Sequence, residues 1–586
     1  MTERRFGPRN VAHGTMFRLW APAAKSVDLL AGDRFPMPPV GDGWFALTMP
    51  GLGVGTRYKF RIDGEFDVPD PASRFQPEDV HGPSELLGHS YIWTSDGWQG
   101  RPWHECVFLE LHIGSFTPEG TFRAAIEKLD HVAATGFTAI ELMPVADFAG
   151  RWNWGYDGVL LFAPDSTYGQ PDDLKALIDA AHRRGLMVFL DVVYNHFGPE
   201  GNYLGRYAPS FFTDAETPWG KAIDYRVPQV RRFAIENALH WLDEYRFDGL
   251  RLDAVHAIAE PGQPSVLEEL SEAAGYLAKE TGRHIHLVLE NDDNRAALLN
   301  PIDDPPRGRY RGQWNDDYHH GFHVLLTGET SGYYGDYRDA GPLLARTLAQ
   351  GFAYQGEPSP HRGGGSRGQA SGALPATAFV NFLQNHDQIG NRALGERLSE
   401  LVAEEPIEAA IAVTLLAPAP PLMFMGDEWG SMQRFPFFCD FQGELADAVR
   451  QGRRREFAEA YALHGGEVPD PLAETTLMLS KLDWDEPASG KHRARLDLVQ
   501  RLLAARRMSV VPLLPHLKAG DAAASIDAGL IDARWPFNDG RRLRLLANLA
   551  AGPAPMPHLH RHTPIWGDSS STQLPPWSVI AVLEGG

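Results

Sequence analysis

Four apolar runs in this chain end in residues that can do acid, base or hydroxyl chemistry: Asp191 to His196 (Asp-Val-Val-Tyr-Asn-His), Gly249 to His256 (Gly-Leu-Arg-Leu-Asp-Ala-Val-His), Leu287 to Glu290, and Phe382 to Asp387. Cleaving an acetal needs one group to protonate the departing oxygen and another to receive or stabilise an oxocarbenium-like carbon. Asp253 and Glu290 suit these two tasks. Asp253 lies two residues after Arg251, so on a strand both side chains face the same side and the cation would keep the carboxylate ionised and nucleophilic. Glu290 ends a run almost without polarity, where partial desolvation would raise its pKa and keep a proton available. Asp387 is a third carboxylate, placed to bind ring hydroxyls, and His196 and His386 would add hydrogen bonds to sugar. Each residue also has a plain explanation when taken alone: a stapling ion pair for Arg251 and Asp253, a solvated strand end for Glu290, satisfied polar residues for the histidines. Four such endings in one chain favour chemistry.

Groups of this kind are positioned by a barrel whose catalytic residues come from several strand ends. From about residue 105 apolar strands alternate with helical periods. Strands are expected at Val107–Ile113, Thr138–Leu142, Met187–Val193, Gly249–Ala254, His286–Glu290, Gly312–Asn315, Phe379–Leu383 and Leu422–Met425. Helices are expected at Asp172–Arg184, Pro228–Tyr245, Ser265–Lys279 and Pro406–Leu416. Nearly eight βα units favour a closed α/β architecture, a (β/α)8 TIM barrel, over an open doubly wound sheet. No Gly-x-Gly-x-x-Gly turn follows the first strand, which removes the main support for a dinucleotide fold.

Before the barrel, Met16–Trp20, Ser26–Leu30, Gly43–Leu47 and Arg57–Ile62 alternate apolar and polar residues between Gly/Pro/Asp clusters, the pattern of a small β-sandwich. After it, Arg542–Asn548 and Ser578–Leu583 return to strand character. The expected division is an N-terminal β-sandwich over 1–100, a catalytic barrel with insertions over 101–510, and a small C-terminal β-domain over 511–586. Gln355–Ser371, with its Gly-Gly-Gly-Ser core, reads as a flexible loop.

Composition narrows the partners. The chain has 586 residues, 54 Lys+Arg against 76 Asp+Glu, and a formal charge of −22, which opposes nucleic acid and anionic lipid. A neutral sugar fits better, and 15 Trp and 17 Tyr supply flat rings for its apolar faces. Cys106 and Cys439 are the only cysteines, too few for a disulfide framework, so a reducing cytoplasm is expected. The N-terminus lacks the apolar core of a signal peptide. The most apolar stretch, Ala409–Met425, is broken by Pro418, Pro420 and Pro421 and reads as a buried helix, a loop and a strand, not a membrane span.

The four endings resemble the blocks of the α-amylase superfamily, glycoside hydrolases that carry Asp-x-x-x-Asn-His, Gly-x-Arg-x-Asp, a strand-end Glu and Asn-His-Asp. The resemblance implies Asp253 as nucleophile, Glu290 as acid/base, Asp387 as transition-state stabiliser and Tyr156, in Trp154-Gly-Tyr156, as the platform under the sugar. Phe17 to Pro22 (Phe-Arg-Leu-Trp-Ala-Pro) is similar to the sandwich that precedes branching, debranching and trehalose-releasing members. Gln313 to Gly321, followed by Leu326 to Glu329 and Gly332 to Tyr337, resembles a barrel loop of the trehalose-releasing members. By that likeness Trp314, Asn315, Asp316, Asp317, Tyr318 and His319 join Tyr156, His196, Arg251, His256, His386 and Gln388 as expected substrate-binding residues. Asp316, Asp317, His319 and His320 could alternatively hold a metal, but the family needs none for its chemistry, and neither a metal nor a cofactor is expected. The implied activity is hydrolysis of the α-1,4 bond next to the trehalose end of a maltooligosyltrehalose. A branching or debranching enzyme and a non-catalytic glucan-binding barrel are the alternatives.

Overall fold

In the computed structural model, residues 4–88, 91–217, 220–258, 265–299, 310–464 and 468–585 are described. Eight short parallel strands form the central sheet: β1 (Phe108–Leu111), β2 (Ala139–Leu142), β3 (Met187–Val192), β4 (Gly249–Leu252), β5 (His286–Leu289), β6 (Gly312–Trp314), β7 (Phe379–Val380) and β8 (Leu422–Phe424). Neighbours in sequence are neighbours in the sheet, and β8 returns to pair with β1. A parallel bridge between Asn381 and Pro421 closes the remaining seam between β7 and β8. The (β/α)8 expectation therefore holds. These strands are mostly apolar because both faces are covered, by barrel interior on one side and helices on the other, with Glu110, Glu141, Asp191, Arg251 and Gln313 as buried exceptions.

Strand bounds differ from expectation where a polar ending takes over. β7 stops at Val380 instead of Leu383 because Asn385 caps the one-turn helix α1 (His386–Gly390). Its side chain accepts from the Asp387 N–H at 2.9 Å, and Gln388 Oε1 accepts from the Asn385 N–H at 2.9 Å. This capping box satisfies orphan donors and fixes Asp387 at the strand mouth. The helix begun at Pro228 runs to Leu239 and then widens into a π turn over His240–Glu244.

Two antiparallel sheets precede the barrel, one built on Gly14–Trp20 and Trp44–Met49, the other on Val27–Ala31 and Arg57–Ile62. A five-stranded antiparallel sheet, from Ala523–Asp527 to Ser578–Glu584, follows it. No helix among the described residues is long and apolar enough to cross a membrane.

The Gly-rich segment over 355–371 is more ordered than its composition suggested. Gly363 and Gly364, at φ +65° and +85°, turn a two-residue ladder of Pro358–Ser359 against Gly365–Ser366. Arg362 and Arg367 then tie this hairpin to Asp292. Ion pairs that the local sequence cannot disclose replace the expected flexibility.

Candidate active site

At the carboxyl ends of the strands opens a cleft of about 810 Å³. Its floor is organised by Arg251 on β4, whose guanidinium is fully buried. Nη1 donates to Asp191 Oδ2 at 2.7 Å and to Asp253 Oδ1 at 2.8 Å, while Nη2 lies 3.3 Å from Glu290 Oε2. Asn195 Nδ2 donates to the other Asp253 oxygen at 2.7 Å. Both oxygens of Asp253 are therefore engaged.

Register explains why Asp253 and Glu290 meet. Leu252 pairs with Leu289 across β4 and β5, and each carboxyl residue is the next one along. Neighbouring strands lie about 4.8 Å apart, so the two carboxyl residues leave the sheet side by side. Ala254 then adopts a left-handed backbone at φ +40°, unusual for a residue with a Cβ. The turn aims its N–H at Glu290 Oε2, 2.5 Å away. Backbone strain here serves to orient a carboxyl.

The electrostatics separate the acids. Burial holds Glu290 above the ordinary carboxyl value of 4.5, with Asp253 and Asp387 adding to the rise and Arg251 and His256 opposing it. Asp191, buried beneath Arg251 and accepting from the Tyr156 hydroxyl at 2.6 Å, is pushed up to about 7, by burial first. Asp316 is also raised well above the carboxylate range, by burial and then by Glu290, Asp292 and Asp387. Burial is the leading cause of the rise in all three acids.

Eight expected residues line the cleft: Tyr156, His196, Asp253, His256, Glu290, Asp316, Asp387 and Gln388. His196 Nε2 meets the Tyr156 carbonyl at 2.9 Å, fixing that ring's neighbour, and Gln388 Nε2 lies 3.4 Å from Asp316 Oδ1. His386 is buried below Tyr156, stacked at 5.2 Å, with Nε2 3.4 Å from Asp387 Oδ1. Arg251 and His386 support the floor and do not form its surface.

The other expectations need correction. Gln313 to Gly321 is not a loop beyond Asn315, for a helix, α2, runs over Asp316–Thr327. Helical periodicity puts Asp316 and His320 on one face, toward the cleft, and turns their neighbours inward. Trp314 is buried with its ring 4.1 Å from the Arg251 guanidinium carbon. Asn315 donates to the Gly351 carbonyl at 3.1 Å and to Asn381 Oδ1 at 2.9 Å. Asp317 accepts from the Ala353 N–H at 2.6 Å and pairs with Arg367 at 3.2 Å. Tyr318 bonds Thr414 at 2.9 Å, and His319 is held by the Leu383 carbonyl and the Tyr334 hydroxyl. These five side chains brace the wall from behind. No group of three or more potential metal ligands occurs among the described residues.

Sequence reasoning weighed His320 only as a possible metal ligand and passed over the cleft residues Asp292, Tyr333, Asp336, Ser359, His361, Arg362 and Arg367 on one side, and Asn391, Phe437, Val449, Gly452, Arg453 and Glu456 on the other. For Ser359, His361, Arg362 and Arg367 the available signal was charge density in a Gly-rich segment, and for Tyr333 and Asp336 it was the Gly332 to Tyr337 run. On the other side it was a helical face, Val449, Gly452, Arg453 and Glu456, spaced three and four apart.

Three family descriptions match the chain: "Alpha amylase, catalytic domain" over 94–217, "Carbohydrate-binding module 48 (Isoamylase N-terminal domain)" over 5–77, and "Domain of unknown function (DUF3459)" over 518–581. The malto-oligosyltrehalose trehalohydrolase of Deinococcus radiodurans is 44% identical over 92% of this chain and 88% of its own. That of Mycobacterium tuberculosis is 39% identical over 97% and 98%. A Streptomyces coelicolor 1,4-alpha-glucan branching enzyme is 37% identical over only 41% of this chain and 36% of its own. Among solved structures, a Salmonella typhimurium protein described as an alpha amylase superposes with a TM-score of 0.93 at 46% identity, covering 99% of both chains. A Paenibacillus barengoltzii pullulanase shares the fold at a TM-score of 0.71 and 19% identity, covering 99% of this chain and 94% of that one. With blocks, barrel and near full-length kinship in agreement, the chain belongs to the malto-oligosyltrehalose trehalohydrolase family of the α-amylase superfamily.

Proposed function

We propose that the protein is a retaining α-glycoside hydrolase that cuts the α-1,4 bond next to the trehalose end of maltooligosyltrehalose, releasing trehalose. The observation that carries the chemistry is the single buried Arg251 shared by Asp253 and Glu290, at 2.8 and 3.3 Å. Glu290, its pKa raised by burial, gives its proton to the glycosidic oxygen as the bond to C1 breaks. Asp253 attacks C1 from the opposite face and forms a glycosyl ester, and the trehalose unit leaves. Glu290, now a carboxylate, takes a proton from water, whose oxygen attacks C1 and frees Asp253. Asp387, at the capped helix start, binds ring hydroxyls more tightly as the ring flattens. Tyr156 and His196 hold the same sugar.

The alternatives differ in what resolves the ester or in whether one forms. A branching activity is disfavoured because the kinship to trehalohydrolases spans nearly the whole chain and that to a branching enzyme less than half. A purely binding barrel is disfavoured by the retention of all three carboxyls at the cleft.

Selectivity follows from shape. Trehalose bends at its 1,1 linkage, and a site built to hydrogen-bond the bent pair leaves polar groups unpaired when a straight chain enters. The polar wall of His320, Asp336, Ser359, His361 and Arg362 supports this reading. The test compares kcat/KM on maltotriosyltrehalose and on maltopentaose, two substrates of equal glucose count. A preference of at least about tenfold for the first, with free trehalose as product, is expected. Equal values, or maltose from both, would return the enzyme to a general α-glucan hydrolase.

A further inference from the structure

The cleft has two unequal sides. Next to Glu290, which must face the leaving group, stand Asp292, Asp316, His320 and Arg362. On the other side a train of ring contacts leads away from the floor: His386 to Trp154 at 5.4 Å, Trp154 to Phe437 at 5.2 Å, and Phe437 to the Arg453 guanidinium at 4.7 Å. That train ends on the helix α3 (Gly443–Glu456).

Gly452 on this helix is out of place by packing logic. A glycine inside a helix costs about 1 kcal/mol relative to alanine. Such a cost is usually offset by a close neighbour that forbids a Cβ, but a Cβ built on Gly452 meets nothing within 4 Å. Its backbone does not need glycine either, since its φ is not positive. What it does is line the cleft, between Val449 and Glu456 and beside Arg453. Arg453 is held in place, its side chain 15% exposed, by Glu456 Oε2 at 3.0 Å and the Gly390 carbonyl at 3.1 Å.

We infer that the Val449, Gly452, Arg453 and Glu456 face of α3, with Phe437, is a distal subsite for the glucosyl units of the α-1,4 chain remote from the cleaved bond, and that Gly452 is bare so that a sugar ring can lie against the helix. This rests on the proposed direction of the cleft, with trehalose on the Glu290 side. Phe437 offers an apolar face to the sugar, and Arg453 and Glu456 offer a donor and an acceptor to its hydroxyls.

The experiment measures kcat/KM on trehalose extended by one to five glucosyl units, for the wild-type chain, Gly452→Ala, Gly452→Leu and Arg453→Ala. With a subsite here, the ratio of long-chain to short-chain kcat/KM falls by about tenfold in Gly452→Leu and in Arg453→Ala, and by a smaller factor in Gly452→Ala, although alanine improves the helix and raises its thermal midpoint. A glycine without a binding role predicts the opposite for Gly452→Ala, a higher midpoint and the wild-type ratio. An unchanged ratio in all three variants, or an equal loss at every chain length, overturns the proposal. If no variant and no wild-type sample releases trehalose, the proposed function fails, and the same length series run on plain maltooligosaccharides still reads the subsite.

Discussion

Replacing Glu110 by Gln removes the charge of one buried pair while keeping its shape. Glu110 and His386 are each 1% exposed. Glu110 accepts from the His386 backbone N–H at 3.1 Å and from its Nδ1. Around the same ring stand Asp387, Tyr156, Trp154 and Trp314, with Arg251 as the opposing cation. Burial pulls the imidazolium down, but Asp387 and Glu110 outweigh burial and push His386 from 6.5 up to about 9. At about 1.4 kcal/mol per pH unit, the distance is worth about 3 kcal/mol of folding stability. The sign is that of a raised histidine: the contribution is complete below pH 6.5 and is lost as pH rises through about 9.

Urea unfolding of the wild-type chain and of Glu110→Gln at intervals from pH 6 to 9.5, followed by tryptophan fluorescence, isolates this term. Asp191, pushed up to about 7, also costs stability as pH rises from 3.8 through that value, but it is present in both proteins and cancels in their difference. The advantage of wild type over the variant should be largest at pH 6 and shrink by pH 9.5 by the share of that about 3 kcal/mol which Glu110 supplies, since Asp387 remains in the variant and still raises His386. A difference that stays constant across the range would mean that His386 is neutral in the folded enzyme and that Glu110 acts only as a hydrogen-bond acceptor.

Trp314→Ala should cost about 3 to 5 kcal/mol of stability, since the ring is buried over Arg251, while KM of the folded fraction moves little; a large rise in KM without loss of stability would put sugar on Trp314. Arg367→Met leaves the fully buried Asp317 uncompensated and should destabilise by about 3 to 5 kcal/mol, a loss that Asp317→Asn in the same chain partly reverses in a double-mutant cycle. The alkaline limb of kcat/KM should fall above 4.5, because burial raises Glu290, and a limb at or below the ordinary carboxyl value would reject Glu290 as the acid.

The acids of the floor were legible in the sequence because each sits where an apolar strand ends, and a closed barrel brings all strand ends together regardless of what joins them. Register does the rest: once Leu252 pairs with Leu289, Asp253 and Glu290 have no freedom to be apart. The wall was misread for the same physical reason in reverse. From Asp316 onward the chain is helical, and a helix presents one residue in three or four to a given side, so a dense polar segment splits into a cleft face of Asp316 and His320 and a buried face of Asp317 and His319. Polarity alone cannot tell these apart, since a buried polar residue is distinguished by partners supplied from afar: Arg367 and the Ala353 N–H for Asp317, the Leu383 carbonyl for His319. Arg362 and Arg367 were hidden within a glycine-rich segment for the complementary reason, that their order comes from Asp292 on another loop. Chemistry that is carried by strand ends is local and can be read in one dimension. A wall built from helices and hairpins folded over those ends is a property of pairs, and here the pairs around Asp292 and Asp317 shape the cleft above the acidic floor.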